Sequence, residues 1–524
     1  MTIPRGLAQP VRYATLLAGG LPVLAFPAPN LEFLAWFGLV PGLLLMRAAP
    51  TQREAIVRGW WFGAGYLLAA LYWLVPNLGP GLLGVAIVLG LMWGGVGLAV
   101  WRLLRPPVTA PRALAALAVV PSCWLVTEWI RSWQGIGGPW AVFGASQWQH
   151  PSVLALAAVG GVWLITVALV AANTGIVIAL VAPRVRVRLL GAAGAAIAIA
   201  AGPAAFALTA PAPTVRHVTI ALVQPGITVR GTARVATSEQ LTASRTDGAD
   251  LIVWGESSVA YDLHTDHALL GRLERLSASV KAQLLVNEDA LNAAGAKSKT
   301  AVLIGSNGID GTYVKTRLVP FGEYIPFRRE LGWLTAISKA APQNVVPGTG
   351  AHVLHATLRN GPPLTIGPLI CFESAFPDMS RVDADHGAQV IIYQTSDSTF
   401  QDSWAPAQHA SLSALRAAET GRPVVQAALT GDSAAFDARG RLLGWLGASD
   451  RGVLTVSLSL PPASARTPYD RLGDYVPWTA TAIAALAAAI AVTGSIRRRP
   501  ARTGEPRPAG IRPKRPAETS TRPS

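Results

Sequence analysis

Three side chains that can support acyl chemistry follow strand-like runs in the middle of this sequence. Glu256, Lys315 and Cys371 each come directly after such a run, and functional groups in α/β folds tend to lie just past the carboxyl ends of strands. A carboxylate beside a thiol can accept its proton. An ammonium group stabilises both the thiolate and the oxyanion of a tetrahedral intermediate. Together the three groups predict a thioester intermediate whose acyl group passes either to water or to an amine.

The use of cysteine and lysine bears on two of these residues. The chain has two cysteines; Cys123 lies in an apolar segment and Cys371 in a charged one, so no disulfide is expected between them. Taken alone, Cys371 fits a buried small hydrophobe as well as it fits a reactive thiol. Lysine is rare, at six residues against 38 arginines. Lys315 therefore suggests a position where a compact ammonium group meets an oxyanion.

The region that carries these residues, 215–475, alternates strand-like and helix-like segments. Strands are predicted at 217–223, 250–254, 283–287, 301–306, 311–315, 364–371, 389–394, 423–429 and 452–458, and helices at 232–246, 266–281 and 404–420. Asn307-Gly308 predicts a hairpin turn between two of the strands. This alternation is typical of one α/β core.

The first 211 residues are apolar and predict a membrane domain. Candidate spans lie at 12–28, 31–48, 58–76, 82–102, 113–131, 152–181 and 189–209, with an eighth at 477–496. Each is near the ~20 residues that a bilayer crossing needs. Buried helices of a soluble core are the alternative, but too few polar faces remain to cover such a core. The sequence thus predicts about eight transmembrane helices, in domains 1–211 and 477–496.

The arginines of the apolar part lie on every second connection between the candidate spans. By the positive-inside rule, both termini are cytoplasmic and residues 215–475 lie outside the cytoplasm. The formal charge of +15 divides into +9 for residues 1–214, +7 for residues 497–524 and −1 for the remainder. Because the part with the chemistry is nearly neutral, no nucleic-acid partner is expected. Residues 497–524 are predicted to form a basic, disordered cytoplasmic tail.

The connection 128–150 is rich in Trp and Gly and lies on the outer side by the same count. An amphipathic patch there could contact lipid or line a lipid entrance, and an ordinary interfacial loop fits equally well. Twelve of the 17 tryptophans precede residue 164, as aromatic belts at a membrane interface require.

Three motifs resemble those of the nitrilase, or carbon–nitrogen hydrolase, superfamily. They are Gly255-Glu256-Ser257, the run YVKTRLVPFGEYIP from Tyr313 to Pro326, and Ile370-Cys371-Phe372-Glu373. On a chain with several N-terminal spans and one C-terminal span, the long motif is similar to that of the bacterial apolipoprotein N-acyltransferases. The resemblance implies an αββα sandwich for residues 215–475.

The resemblance also implies roles for single residues. Glu256 would be the general base, Lys315 the stabiliser of the oxyanion and Cys371 the nucleophile. Glu323 and Glu373 match two further carboxylates that are important in the family, and a supporting ion pair or loop hydrogen bond is the other interpretation of each. No cofactor and no metal are implied.

The implied reaction joins two lipid-anchored substrates. The thiol takes an acyl chain from a membrane phospholipid, and the thioester then acylates the α-amine of the diacylglyceryl-cysteine that begins an apolipoprotein. A monomeric enzyme of the cytoplasmic membrane, with its site facing outwards, is expected. A membrane-tethered amidase would use the same three residues with water as the acceptor. A third interpretation is a transporter or scaffold with a degenerate outer domain, in which Glu256, Lys315 and Cys371 would not all be retained.

The sequence departs from the family pattern near the nucleophile. Phe372 stands where the family commonly has Tyr, and the loop usually written Thr-Asn-Asp-Ala-Trp-Phe reads Thr395-Ser396-Asp397-Ser398-Thr399-Phe400. Trp404 follows shortly and could replace the missing indole. Arg416 matches a family arginine, but an ion pair with Glu419 is the favoured interpretation.

Overall fold

The structure is a computed structural model that describes residues 5–227, 231–291, 295–336 and 344–497. The predicted basic tail, 497–524, lies outside these ranges except for its first residue. The chain divides into two compact units, Met1–Ala484 and Ala485–Ser524. The packing described below is that of the first unit.

The N-terminal part is helical because its apolar segments are rich in Ala and Leu, which favour helix. Its helices are α1 Arg5–Gly20, α2 Val40–Arg47, α3 Gln52–Ala70, α4 Val75–Leu78, α5 Gly81–Gly90, α6 Gly94–Leu104, α7 Ala110–Arg131, α8 Pro151–Val181 and α9 Val185–Leu208. The side chain of Thr51 caps α3 by accepting a hydrogen bond from the Glu54 N–H. α8 is interrupted at Gly160-Gly161, where Gly161 has a φ of +70°, a conformation that glycine adopts without strain.

Within the described residues, five helical segments are long and apolar enough to cross a membrane: Gly81–Leu104, Ala110–Arg131, Pro151–Val181, Val185–Leu208 and Tyr475–Thr493. The first combines α5 and α6, which a single 3-10 turn joins. The three most N-terminal candidate spans correspond to α1, α2 and α3. Of these, α2 has only 8 residues, and α3 begins with the charged residues Arg53, Glu54 and Arg58. The N-terminal part therefore contains several apolar helices, and the total of eight spans stays a prediction.

The middle of the chain forms two six-stranded sheets. The strands are β1 Arg216–Gln224, β2 Leu251–Trp254, β3 Gln283–Leu291, β4 Lys297–Gly305, β5 Gly308–Val314, β6 Leu354–Ala356, β7 Leu364–Ile370, β8 Val390–Thr395, β9 Val424–Ala428, β10 Ser433–Phe436, β11 Leu442–Leu446 and β12 Gly452–Leu460. The strand orders are β12-β1-β2-β3-β4-β5 and β11-β10-β9-β8-β7-β6. β1, β2 and β3 run parallel, as do β7, β8 and β9. Each parallel centre brings the carboxyl ends of its strands to one edge.

Seven further helices follow the N-terminal part within the described residues. They are α10 Gly231–Arg245, α11 His267–Val280, α12 Arg328–Leu331, α13 Pro377–Asp385, α14 Ala405–Thr420, α15 Pro468–Leu472 and α16 Tyr475–Arg497. Along β1, Ile220 and Leu222 belong to the core shared with the second sheet, whereas Ala221 and Val223 pack beneath α10 and α11. α13 and α14 cover the second sheet, and α14 also packs against α8. The result is a nitrilase-like α/β sandwich with a continuous core that extends into the N-terminal helices.

The predicted strands and helices of this region are present, with differences at a few places. β3 continues to Leu291, and β4 begins at Lys297. Both are longer than predicted because their charged ends pair with each other, although these ends lack the apolar pattern. The turn between β4 and β5 consists of Ser306 and Asn307, since Gly308 is already paired with β4. β6, β10 and β11 were not predicted; they are short and lie at or next to the sheet edge, where the hydrophobic signal is weak.

Candidate active site

The structure brings Glu256, Lys315 and Cys371 together at one edge between the sheets. Glu256 follows β2 and Lys315 follows β5, while Cys371 follows β7 of the facing sheet. Lys315 Nζ donates to Glu256 Oε1 over 3.1 Å, and the Cys371 thiol lies close enough to the same carboxylate to lower its pKa. Glu256 is 3% exposed and Lys315 is 0% exposed. A carboxylate and a cation that are shielded from bulk water thus meet a thiol that is partly exposed.

A glycine allows the two sheets to approach each other at Glu256. A Cβ on Gly255 would lie 2.0 Å from the backbone nitrogen of Leu429, so a larger residue would force the sheets apart. The Glu256 N–H donates to the Thr395 carbonyl of the second sheet over 3.1 Å. The next residue, Ser257, has a left-handed φ of +54°, which costs a non-glycine residue on the order of 1 kcal/mol. This strained turn brings the Glu256 side chain to the second sheet.

Cys371 also has a left-handed backbone, with a φ of +53°, at the start of the 3-10 turn Cys371–Ala375. Its carbonyl oxygen lies 3.0 Å from His409 Nε2, and His409 Nδ1 lies 2.9 Å from Asp397 Oδ1. Burial lowers the pKa of His409, but Asp397 and the hydrogen bonds outweigh burial, and the net shift is upward. Contact of Nε2 with the carbonyl oxygen fixes the backbone of Cys371, and Asp397 holds the imidazole from its other nitrogen. Sequence reasoning missed His409; its only signal was a lone histidine on the predicted helix 404–420.

Glu373 joins the backbone segments on both sides of the site. It accepts hydrogen bonds of 2.7 to 3.0 Å from four donors: the N–H groups of Ile370, Thr316 and Arg317 and the hydroxyl of Tyr313. Burial raises the pKa of Glu373 more than these donors lower it. The carboxylate therefore ties the segment after Lys315 to the strand before Cys371.

Glu323 has a different environment, because it pairs directly with Lys315. Lys315 Nζ lies 2.7 Å from Glu323 Oε1, and Glu323 Oε2 accepts from the Val319 N–H over 2.8 Å. Lys315 is thus held between two carboxylates. Burial lowers the pKa of Lys315, but Glu256 and Glu323 together raise it well above its ordinary value. Lys315 is accordingly an ammonium group throughout the neutral range.

Lys299 is a second ammonium group at Glu256, and sequence reasoning missed it. Its Nζ lies 3.3 Å from Glu256 Oε1 and donates to Ser257 Oγ over 2.7 Å. It also lies 3.3 Å from Oδ1 of Asp289, its partner across the β3–β4 pairing. The available signal was Lys297 and Lys299 at alternating positions in a lysine-poor chain. The pattern was not recognised because the charged end of β4 was not predicted as strand.

These charges set the resting state of the site. Burial by itself raises the pKa of Glu256, but Lys299 and Lys315 outweigh it and lower the pKa to about 2. Burial and the Glu256 carboxylate raise the pKa of Cys371 well above its ordinary value, although Lys315 acts in the opposite direction. The resting site therefore holds an ionised Glu256 beside a protonated thiol. Proton transfer must accompany attack by the sulfur.

A tryptophan from the connection 128–150 covers the site on one side. The ring of Trp140 stacks on Phe372, with 6.4 Å between centroids, and lies 5.5 Å from the His409 ring. Its Nε1 donates to Gln408 Oε1 over 3.0 Å. The segment before α8 therefore contacts the residue next to Cys371.

Two more ring pairs extend this aromatic wall. Trp73 meets Phe400 edge to face at 4.7 Å, and Tyr72 meets Trp404 at 5.0 Å. The backbone N–H of Trp404 also donates to the Tyr72 hydroxyl over 3.0 Å. Trp404, which the sequence offered as a replacement for the missing indole, thus packs against the segment between α3 and α4.

The remaining charged residues that the sequence pointed to are structural. Arg416 Nε lies 3.0 Å from Glu419 Oε2, which confirms the favoured ion pair. Glu419 Oε1 also accepts from the Val162 N–H over 2.8 Å, at the interruption of α8. In the described part of the chain, no group of three or more His, Cys, Asp or Glu side chains could hold a metal ion.

Comparisons with known proteins match both parts of the chain. A family model described as Apolipoprotein N-acyltransferase N-terminal domain matches residues 18–175, and one described as Carbon-nitrogen hydrolase matches residues 219–465. The nitrilase-superfamily protein Nit3 of Saccharomyces cerevisiae is 16% identical, with a TM-score of 0.37, and the match covers 47% of this chain and 91% of that one.

Relatives of similar length carry one common name. The apolipoprotein N-acyltransferase of Allorhizobium ampelinum is 32% identical, over 85% of this chain and 87% of the relative. That of Caulobacter vibrioides is 31% identical over 88% and 90%, and that of Geobacter metallireducens is 28% identical over 91% and 94%. This chain therefore belongs to the apolipoprotein N-acyltransferase family.

Proposed function

We propose that this chain transfers a fatty acyl chain from a membrane phospholipid to the α-amine of the N-terminal diacylglyceryl-cysteine of apolipoproteins, through a thioester on Cys371. The observation that carries the proposal is the site itself. The Cys371 thiol meets a carboxylate and an ammonium group there, beneath an aromatic wall supplied by the apolar N-terminal part.

In the first half-reaction, Glu256 takes the thiol proton as the sulfur attacks the ester carbonyl of the phospholipid. Lys315 stabilises the oxyanion of the tetrahedral intermediate. The N–H of Phe372 is our candidate for a second donor, since the first N–H groups of a helical turn have no partner within it. Collapse of the intermediate breaks the ester bond, and the departing alkoxide takes the proton from Glu256. The products are a thioester and a lysophospholipid.

In the second half-reaction, the neutral α-amine of the acceptor attacks the thioester carbonyl. Glu256 accepts an amine proton, and Lys315 again faces the oxyanion. Collapse forms the amide and expels the sulfur, which regains a proton from Glu256. The free acceptor is an ammonium ion at neutral pH, so one proton leaves to solvent for each amide formed.

The domain plan fits two lipid-anchored substrates. We assign residues 1–211 and 477–496 to eight transmembrane helices, residues 215–475 to the outer face of the cytoplasmic membrane, and residues 497–524 to a cytoplasmic tail. The alternation of arginine-rich connections supports this orientation. A soluble amide would not require a catalytic domain joined to apolar helices at both ends. We therefore favour the transferase over a membrane-tethered amidase, and we take the working unit to be a monomer.

The test follows both half-reactions in one preparation. Purified protein in nanodiscs receives a phospholipid donor, and intact-protein mass spectrometry detects the mass of one acyl chain on Cys371. A diacylated lipopeptide is then added, and the triacylated product is measured. Cys371→Ala should abolish both signals, whereas Cys123→Ala, which removes the other thiol, should preserve both. Release of fatty acid without acylation of the lipopeptide would instead show a hydrolase, with water as the acceptor of the acyl group.

A further inference from the structure

Six charged side chains form a chain of alternating sign through the site. In order they are Lys297, Asp289, Lys299, Glu256, Lys315 and Glu323, and successive nitrogen–oxygen distances are 3.2, 3.3, 3.3, 3.1 and 2.7 Å. The Lys297 side chain is 46% exposed, whereas that of Lys315 is 0% exposed. The row therefore begins at the surface, ends in the interior and carries no net charge. It uses three of the six lysines of the chain.

The contacts of Lys299 differ from those of its neighbour on the same strand. Lys299 reaches Glu256 Oε1 directly and also donates to the hydroxyl of Ser257. Ser257 Oγ in turn donates to Asp289 Oδ1 over 3.0 Å. Lys297, two residues earlier on β4, contacts Asp289 Oδ2 at 3.2 Å. One lysine thus acts on the proposed base, and the other acts on the carboxylate behind it.

Lys299 and Lys315 both bind the same oxygen of Glu256. Two ammonium groups on Oε1 fix the rotation of the carboxylate and leave Oε2 outside these two ion pairs. Ser257 and Asp289 fix Lys299 from behind. A carboxylate held in this way keeps one orientation toward the thiol, and loss of either lysine would allow it to turn.

We propose that Lys299 is a positioning residue for the base: it holds Glu256 ionised and oriented toward Cys371, and it keeps its own proton throughout the reaction. This inference rests on the proposed roles of Glu256 and Cys371. It assigns a role to a residue outside the Glu, Lys and Cys set.

The charges around Glu256 give the direction of the expected effect. On its own sheet it faces Lys299 and Lys315, with Glu323 behind Lys315 and Asp289 behind Lys299. From the second sheet it faces the neutral thiol of Cys371, with His409 and Asp397 beyond. Removal of one of the two adjacent cations raises the pKa of Glu256 by about two to three units, back to its ordinary value, because the burial that raises it stays. Protonated Glu256 cannot act as a base, so activity should then fall on the acid side.

The test compares Lys299→Met with Lys297→Met, a matched control on the same strand. Asp289 keeps a lysine partner in either variant, which limits damage to the fold. The measurement is the alkylation of Cys371 by iodoacetamide at pH 4.5 and pH 7, in full-length protein that carries Cys123→Ala. In Lys299→Met we expect the rate at pH 7 to drop about tenfold. In addition, the ratio of the alkylation rate at pH 4.5 to the rate at pH 7 should be at least about twofold lower in Lys299→Met than in the parent. Lys297→Met should resemble the parent in both respects.

An unchanged pH ratio in a folded Lys299→Met protein would overturn the proposal, because a merely structural residue lowers the rate equally at both pH values. If Lys299→Met does not fold, Lys299→Arg keeps the charge and should keep the parent's pH ratio; a reduced ratio in that variant would also overturn the proposal. Alkylation requires no lipid. A protein that shows the expected ratios but does not acylate a lipopeptide would refute the proposed function and leave this inference standing.

Discussion

The two sheets contribute different kinds of interaction to the same site. The first sheet and its loops supply the charged side chains, with Lys299, Lys315 and Glu323 arranged around Glu256. The second sheet supplies Cys371, the proposed nucleophile, and holds it through the contact of its carbonyl with His409 and of the preceding Ile370 N–H with Glu373. Charge on one side thus faces a neutral thiol on the other.

The first sheet thus sets the protonation of Glu256, and the second sheet sets the position of Cys371. Several contacts between the sheets keep the two halves aligned, among them the Glu256 N–H to Thr395, the Gln394 side chain to the Trp254 carbonyl over 2.9 Å, and the Tyr313 hydroxyl to Glu373 over 2.8 Å. A substitution on the first sheet should therefore change proton transfer. A substitution of a residue that holds the backbone around Cys371 on the second sheet should change the free energy of unfolding.

Replacement of the base should have the largest effect on chemistry. In Glu256→Gln, thioester formation from phospholipid should fall about a thousandfold, because no carboxylate remains to take the thiol proton. Acyl-enzyme mass measured against time gives the rate. Glu288→Gln is the matched control, since Glu288 is equally buried on β3 and accepts its hydrogen bond from the Leu263 N–H. If Glu256→Gln kept a rate within tenfold of the parent, the division between the sheets would be wrong.

The two supporting carboxylates should respond in opposite ways. Glu373→Gln places an amide NH₂ against N–H donors on two segments, and should reduce stability by about 2 kcal/mol while the folded fraction keeps most of its rate. Glu323→Gln removes the inner counter-charge of Lys315, and should lower the acylation rate about tenfold with little change in stability. Thermal unfolding and acyl-enzyme formation, measured on both variants, separate the two effects. Equal losses of stability in the two variants would show that both carboxylates serve to hold backbone segments together.

The smallest effect is expected at the aromatic wall. Trp140→Leu removes the ring contact with Phe372 and the hydrogen bond to Gln408, which together should weaken lipid binding by about 1 kcal/mol, or about fivefold in KM for the donor. The alkylation rate of Cys371 should stay unchanged. Trp148→Leu serves as the control, because Trp148 lies in the same connection but packs against Phe436 and Trp445. A fall in kcat without a change in KM would place Trp140 in the control of the nucleophile instead.

The sequence was sufficient for the fold of the middle region and for the residues that follow its strands. Apolar runs predicted most strands, and each candidate residue came just after one. The motifs also identified Glu323 and Glu373 but could not tell their environments apart. Both are buried glutamates in loops, and only their contacts show that one pairs with Lys315 while the other binds backbone N–H groups.

Other features depend on contacts between residues that are distant in the chain. Lys299 reaches Glu256 only because the charged ends of β3 and β4 pair in one register. His409 reaches the Cys371 carbonyl because α14 packs on the second sheet, and Trp140 reaches Phe372 because the connection before α8 contacts that sheet's edge. The sequence by itself identified the groups that we propose for the chemistry, since local patterns of hydrophobicity and motif carry that information. The tertiary structure alone decided how those groups are charged and held, because desolvation and ion pairing depend on what lies within a few ångströms in space.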